Sequence, residues 1–119
     1  MAAVKLTHLL IFTQQFGSMI RSNLPLVDVL ENLARETPQK KLRLIIQDIS
    51  DRVQHGADLG DALAAHQNVF SDIYVNVIRS GMASGRLSEA ISQITVYLNV
   101  ISEATRKVRT ALSYPIFML

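Results

Sequence analysis

The stretch RSGMASGRL, at residues 79–87, places two glycines four positions apart between apolar segments. Glycines with such spacing occur in phosphate-binding loops, in contacts between membrane helices and at corners between two helices. A phosphate loop requires a lysine after its second glycine, but Arg86 follows Gly85 here. A membrane contact requires an apolar span of about twenty residues, and the cations Arg79 and Arg86 flank this stretch. We therefore predict a helix corner, in which Gly85 takes a left-handed conformation and Gly81 lets a second helix approach closely.

Apolar residues on both sides of this corner recur at spacings of three and four, and no segment alternates as a half-buried strand would. The clearest pattern follows the corner, as a heptad seam with one polar member: Leu87, Ile91, Ile94, Leu98, Ile101, Thr105, Val108 and Leu112. Short connections between such helices favour antiparallel neighbours. We therefore predict an all-α fold, an antiparallel bundle of about six helices whose long C-terminal helix leads toward a membrane span.

Turn residues predict two further helix boundaries. Asn23 is able to take a left-handed conformation after the first helix, and Pro25 suits the first turn of the second. Thr37 is expected to cap the third helix, with Pro38 as its first residue. We interpret Asn23 and Pro25 as a structural turn between helices rather than as a chemical site.

The composition is that of one apolar-rich domain. The chain has 119 residues, of which 49% are apolar and 18% are charged. It contains no cysteine, which excludes disulfides, thiolate zinc sites and cysteine nucleophiles within it. The net charge of +2 is small for a nucleic-acid-binding domain, and the basic residues Lys40, Lys41 and Arg43 have no interleaved aromatic residues. We therefore predict no nucleic-acid partner.

Residues with catalytic or metal-binding chemistry are scattered along the sequence. The histidines His8, His55 and His66 lie in separate segments without the spacing of metal ligands. Four aspartates form pairs at helical spacing, Asp48 with Asp51 and Asp58 with Asp61. We interpret these pairs as solvated helix faces and helix-start charges. The sequence thus predicts no catalytic residue, no cofactor and no metal site.

The C-terminal segment ALSYPIFML, residues 111–119, is an apolar run of nine residues, whereas a membrane span takes about twenty. The basic residues Arg106, Lys107 and Arg109 come directly before it. Cations at this position are typical of the cytoplasmic end of a membrane helix. We therefore expect residues 1–114 to form a cytoplasmic helical module and residues 115–119 to be the truncated start of a transmembrane helix.

Three segments carry a family resemblance: LIFTQQFGSMIRSNLPLVDVLENLA, VQHGADLGDALAAHQNVFSDIYVNVIRSGMASGRLSEAI and RTALSYPIFML. Their motifs, in the order FT-Q, PL-helix, G-x-x-L-x-x-AL, F-x-x-x-Y, G-x-ASGRL and YP, resemble the type II secretion system protein F family. That family includes the inner-membrane platform proteins of type IV pilus assembly. The resemblance covers residues 10–119 and corresponds to the cytoplasmic module of such proteins.

The resemblance implies a non-enzymatic scaffold at the bacterial inner membrane, with this module on the cytoplasmic side. Its implied partners are a cytoplasmic assembly ATPase and other inner-membrane subunits of the same machine. The alternative is an independent soluble adaptor that binds partner helices through the seam. Since a platform needs several copies, we also predict a weak homodimer formed by exposed helix faces. Seam residues expected to be only partly covered are Ile91, Ile94, Leu98 and Ile101.

Overall fold

The computed structural model describes residues 3–118, except for the side chains of Arg109 and of residues 112–118. Over this range the chain forms six helices and no strand, which confirms the predicted all-α class. The helices are α1 (Leu6–Arg21), α2 (Leu26–Glu36), α3 (Lys40–Gln54), α4 (Leu59–Ala64), α5 (Asp72–Ser84) and α6 (Leu87–Met118).

The six helices form a closed ring around one apolar core. Each helix packs against the next one in the chain, and α6 packs against both α5 and α1. Short connections, such as residues 85–86 between α5 and α6, turn the chain back on itself. The largest fully buried side chains include Phe12, Phe16, Leu30, Leu33, Leu42, Ile46, Ile49, Leu59, Leu63, Phe70, Ile78 and Ile91. The predicted helix periodicity thus corresponds to a core shared by all six helices.

One hydrogen-bonded pair of hydroxyl groups lies inside this core. The Thr13 hydroxyl donates to the Leu9 carbonyl oxygen at 2.8 Å, and the Tyr74 hydroxyl lies 2.8 Å from Thr13. Because Thr13 has one proton to donate, Tyr74 is the donor to Thr13. Burial raises the pKa of Tyr74 well above its usual range. The pair therefore remains neutral and links α1 to α5.

The predicted cap of the third helix was wrong. The N-cap of α3 is Gln39, whose side-chain oxygen accepts a hydrogen bond from the Leu42 amide at 2.7 Å. Thr37 instead ends α2, where its hydroxyl donates to the Leu33 carbonyl oxygen at 2.6 Å. Because this hydroxyl serves the last turn of α2, the longer Gln39 side chain supplies the acceptor for α3. Helix α3 therefore begins at Lys40, two residues beyond the predicted start at Pro38.

Helix α6 extends beyond the bundle. The molecule measures 58 × 32 × 24 Å, and a helix of 32 residues is about 48 Å long at ~1.5 Å per residue. We call residues 87–102 the packed half of α6, since Ile91, Ile94 and Leu98 are at most 4% exposed there. We call residues 103–118 the projecting half, because every side chain described in it is exposed.

Candidate interaction surface

The corner at residues 79–87 is a Schellman-type helix end. Gly85 has φ 71° and ψ 22°, in the left-handed region that favours glycine. The Arg86 amide donates to the Gly81 carbonyl oxygen at 2.8 Å, and the Gly85 amide donates to the Met82 carbonyl oxygen at 3.4 Å. These two bonds satisfy carbonyl groups that the end of α5 would otherwise leave free.

Gly81 lies where α5 and α6 approach most closely around this corner. A Cβ atom built on Gly81 would lie 2.5 Å from the Ala90 Cβ and 3.2 Å from the Leu87 Cα. Real Cβ atoms do not approach other carbon atoms so closely, and backbone atoms at Leu87 have little room to move. The position therefore requires glycine for helix packing, without any ligand.

The turn at Asn23 and Pro25 lies at the same end of the bundle as this corner. Asn23 has a left-handed φ of 61°, and Pro25 is the N-cap of α2, one residue before its first helical position. A Cβ on Gly17, near the end of α1, would lie 3.0 Å from Ile91 Cγ2, near the start of α6. This contact brings the end of α1 beside the start of α6. We call this the corner end of the bundle.

Arg79 binds two of the acidic residues that the sequence analysis had interpreted as solvated charges. Its Nη1 lies 2.8 Å from Asp61 Oδ1 and 3.3 Å from Asp58 Oδ2. A Cβ on Gly60 would lie 2.6 Å from Arg79 Cγ, so the arginine stem runs directly over the glycine. Arg79 thereby links α5 to α4. No local sequence pattern signals this contact, since Arg79 lies 18 residues after Asp61 and 21 residues after Asp58.

Asp48 also has partners that the sequence analysis did not identify. Arg52 Nε lies 2.8 Å from Asp48 Oδ2, and His66 Nε2 lies 2.6 Å from the same oxygen. The hydrogen bond from Arg52, and next that from His66, lowers the pKa of Asp48 below its usual value. The His66 contact ties α3 to the segment that follows α4, which is a structural use for both residues.

An open groove of about 370 Å³ lies between α5 and α6 beside the corner. Its walls are about equally polar and apolar, and the polar side chains include Asn76, Ser80, Arg86, Glu89 and Gln93. The Arg86 guanidinium lies 3.7 Å from the Glu89 carboxylate at its edge, and both side chains are exposed. The groove thus offers donors and acceptors at the corner end.

The basic residues near the C-terminus lie on the projecting half of α6. Arg106 and Lys107 are exposed, and Arg106 Nη2 lies 3.1 Å from Glu103 Oε2. The third predicted residue, Arg109, has a side chain that lies outside the described part of the structure. Val108 is 57% exposed on the same half. This segment therefore presents cations and apolar surface that the bundle does not cover.

The seam predicted to be partly uncovered is buried within the packed half. Ile91, Ile94 and Leu98 are at most 4% exposed, and Ile101 is half-buried. The expectation that the seam is only partly covered was wrong for Ile91, Ile94 and Leu98, because α1 and α5 both pack against this helix, and it is confirmed for Ile101. Exposed apolar side chains of α6 include Val96, Tyr97 and Val100, which lie outside the seam, and Val108, a seam residue on the projecting half.

Metal clusters and membrane spans are both missing from the described residues. Within residues 3–118, as far as side chains are described, histidine and carboxylate groups nowhere gather in threes as a metal site would need. Over the same part of the chain, no helix combines the length and apolar character needed to cross a membrane.

Comparison with known proteins identifies the family. A family model described as type II secretion system (T2SS), protein F, matches residues 12–119. The chain is 35% identical to type II secretion system protein F of Xanthomonas campestris pv. campestris over 108 residues, which cover 91% of this chain and 27% of that protein.

Proteins named for pilus assembly are similar as well. The chain is 33% identical to the type IV pilus assembly protein PilC of Thermus thermophilus over 113 residues, covering 95% of this chain and 28% of that protein. It is 32% identical to PilC of Myxococcus xanthus over 111 residues, covering 93% and 27% respectively. The chain spans little more than a quarter of the length of these relatives. Since the family model matches most of its residues, the chain belongs to the type II secretion system protein F family.

Proposed function

We propose that this chain is the cytoplasmic helical module of an inner-membrane platform protein in a bacterial type II secretion or type IV pilus assembly machine. The observation that carries the proposal is the projecting half of α6, which leaves the bundle with exposed Arg106 and Lys107 before an apolar segment. Cations in this position favour the cytoplasmic side of a membrane. Family membership and the small share of the relatives that the chain spans also support it.

The geometry of α6 gives this module an orientation. The packed half holds the bundle, and the projecting half leads away from the end opposite the corner. We propose that residues 1–114 are the module and that a transmembrane helix begins at residues 115–119 in the full-length protein. The corner end then points away from the membrane, toward the cytoplasm.

We infer that the corner end contacts the assembly ATPase of the same machine, while other inner-membrane subunits bind nearer the membrane. The polar groove beside the corner supports this assignment, because it carries both a cation at Arg86 and an anion at Glu89. Such surfaces suit contacts between proteins that form and dissolve repeatedly. The module itself acts as a non-enzymatic scaffold in this proposal.

We further propose that the module forms a weak homodimer through the outer face of α6. Val96 and Val100 are 63% and 62% exposed there, and Tyr97 lies beside them. Light scattering should detect dimers of the wild type at high concentration, and Val96→Lys should remove them. A wild type that stays strictly monomeric would contradict the proposal. An adaptor that binds partner helices through the seam is disfavoured, because α1 and α5 already cover Ile91, Ile94 and Leu98.

The side of the inner membrane on which the module lies tests the proposal that it is cytoplasmic. The exposed residue Ser92 is replaced by cysteine in the full-length protein, with other cysteines removed, and treated with a maleimide that does not cross membranes. We expect no labelling in intact spheroplasts and full labelling in inverted inner-membrane vesicles. Labelling in intact spheroplasts would contradict a cytoplasmic module. The buried residue Ile94, replaced by cysteine, serves as the control that stays unlabelled in both.

A further inference from the structure

Two contacts locate the starts of α1 and α3. The Gln39 side-chain amide donates to the Ala3 carbonyl oxygen at 3.3 Å, so the N-cap of α3 lies beside the residues that precede α1. The contact between Gly17 and Ile91 places the opposite end of α1 at the corner end. The starts of α1 and α3 therefore lie at the end of the bundle from which α6 projects.

Four basic residues gather at this end: Lys5, Lys40, Lys41 and Arg43, which we call the basic rim. Lys5 and Lys40 are exposed, and Lys41 and Arg43 are half-buried. In the described part of the chain, the salt bridges include none of these four, and Arg43 donates to the carbonyl oxygens of Thr37 and Pro38. None of the four is therefore held in a salt bridge, while the carboxylates of Glu36, at the end of α2, and Asp72, at the start of α5, lie at the same end of the bundle.

The corner end differs in this respect. Arg79 is paired there with Asp58 and Asp61, and Arg86 lies near Glu89. Arginines of the corner end are thus partly neutralised by the module itself. Among the described side chains, lysines and arginines without a salt bridge are more numerous at the opposite end, where the rim has four, than at the corner end, where Arg21 is such a residue.

The rim lysines do not serve helix stability. Helices α2, α4, α5 and α6 each have an acidic residue in the first turn, which interacts favourably with the positive end of the helix dipole. Helices α1 and α3 have none, and α3 begins with Lys40 and Lys41. Two cations at a helix start oppose the dipole, so the rim lysines gain no stability from this interaction.

We propose that the basic rim binds the headgroups of an anionic lipid surface. The inference rests on the proposed function, in which α6 enters the membrane near Pro115. The headgroup layer adds about 5–8 Å to each side of the hydrocarbon. Counted back along α6 from residue 115, this thickness extends to about residue 110. From there to the end of the bundle at Ser102 is about 12 Å along the helix. This gap is about one and a half times the screening length of about 8 Å, so the rim reaches the headgroups when a tilt of α6 shortens the gap.

Vesicle binding by the 119-residue chain tests the rim. Flotation is compared between vesicles of phosphatidylcholine alone and vesicles that also contain phosphatidylglycerol. The apolar C-terminal segment binds both, so the measured quantity is the gain in affinity due to the anionic lipid. We expect Lys40→Gln/Lys41→Gln to reduce this gain by at least about fivefold, the effect of one lysine near the surface. The melting temperature of this double variant should equal or exceed that of the wild type, because two cations that oppose the dipole of α3 are removed.

The matched control is Arg21→Gln/Arg86→Gln, which removes two exposed cations at the corner end. Both double variants lower the net charge from +2 to 0. In the control, the gain in affinity due to the anionic lipid should stay within about twofold of the wild-type gain, since the substituted positions lie far from the lipid surface. Equal losses in both variants, or no loss in either, would overturn the rim proposal. If the rim variant loses duplex DNA binding in a gel shift but keeps vesicle binding, nucleic acid is the partner instead.

The outcomes separate this inference from the proposed function. If the rim variant binds anionic vesicles like the wild type while Ser92→Cys still reports a cytoplasmic module, only the proposal that the rim binds lipid headgroups is refuted. Labelling of Ser92→Cys from outside the spheroplast refutes the proposed function, whatever the vesicles show.

Discussion

The packed half of α6 lies between α1 and α5, whereas the projecting half continues from the same helix without such neighbours. Apolar residues keep their spacing across the boundary, from Leu98 through Ile101 to Val108. Leu98 is 4% exposed and Val108 is 57% exposed. A continuous heptad pattern therefore spans a bundle core in one half and an uncovered surface in the other. Periodicity identifies the helix, but the length of the neighbouring helices decides which of its residues are buried.

The largest expected effect comes from the packed half. Ile91→Ala should lower the free energy of unfolding by about 2–5 kcal/mol, because it leaves a cavity in a core position that is 1% exposed. Val108→Ala, a change on the projecting half, should stay within about 0.5 kcal/mol. Urea unfolding of the two variants measures both values. Similar losses for the two variants would mean that the projecting half is also packed.

The corner that starts the packed half comes next. Gly81→Leu should cost about 1–3 kcal/mol by overpacking against Ala90, where a Cβ would already lie 2.5 Å away. Ala83→Leu, at an exposed position of α5, is the control and should melt like the wild type. Thermal melts with and without ATP are the measurement. Unchanged melting together with lost ATP binding would mean that the corner is a functional loop.

Gly85→Val tests the left-handed backbone conformation at the same corner. A β-branched residue strongly avoids φ 71°, so we expect a loss of about 1–3 kcal/mol. Gly85→Asn should cost less, because asparagine tolerates the left-handed region. Thermal melts of the two variants give the ranking; a valine variant as stable as the asparagine variant would contradict the assigned conformation.

The smallest effect concerns acidic pH. Because the folded-state pKa of Asp48 is lowered, its contribution to stability is present above its unfolded value near 3.8 and is lost as pH falls through the folded value. Asp48 is partly exposed, so Asp48→Asn should cost about 0.2–1 kcal/mol at neutral pH. This cost should decrease as the pH falls below 3.8 and vanish at acidic pH, where Asp48 is protonated in both the folded and the unfolded state.

Glu103→Gln is the matched control on the projecting half, since it also removes an anion from an arginine pair. We expect no measurable cost at either pH, because both side chains are exposed and the pair links no second helix. Urea unfolding at the two pH values compares the variants. An equal cost for both would remove the distinction between the packed bundle and the projecting half.

Local signals in the sequence predicted much of the fold. Helical periodicity indicated the six helices, and the arginine that follows Gly85 was enough to exclude a phosphate loop. The conformations of Gly85 and Asn23 follow from chemistry within a few residues, since left-handed backbone favours these two residue types.

Features that depend on distant parts of the chain were missed. Arg79 lies 18 residues from Asp61, and His66 lies 18 residues from Asp48, so no local pattern predicts either contact. The cap of α3 was misplaced because Thr37 and Gln39 both offer an acceptor, and the end of α2 decides between them. The burial of the seam depends likewise on α1, at the other end of the sequence.

A cysteine scan along α6 of the full-length protein, in inverted inner-membrane vesicles, tests whether this helix leaves the bundle and enters the membrane. Labelling by a membrane-impermeant maleimide should be periodic in the packed half, with Ile94 and Leu98 protected and Ser92 and Asn99 reactive. It should be uniform over residues 103–108 and absent from residue 115 onward, where the membrane is proposed to begin. Periodic protection that continues through residue 108, or labelling that persists beyond residue 115, would contradict a helix that leaves the bundle to enter the membrane.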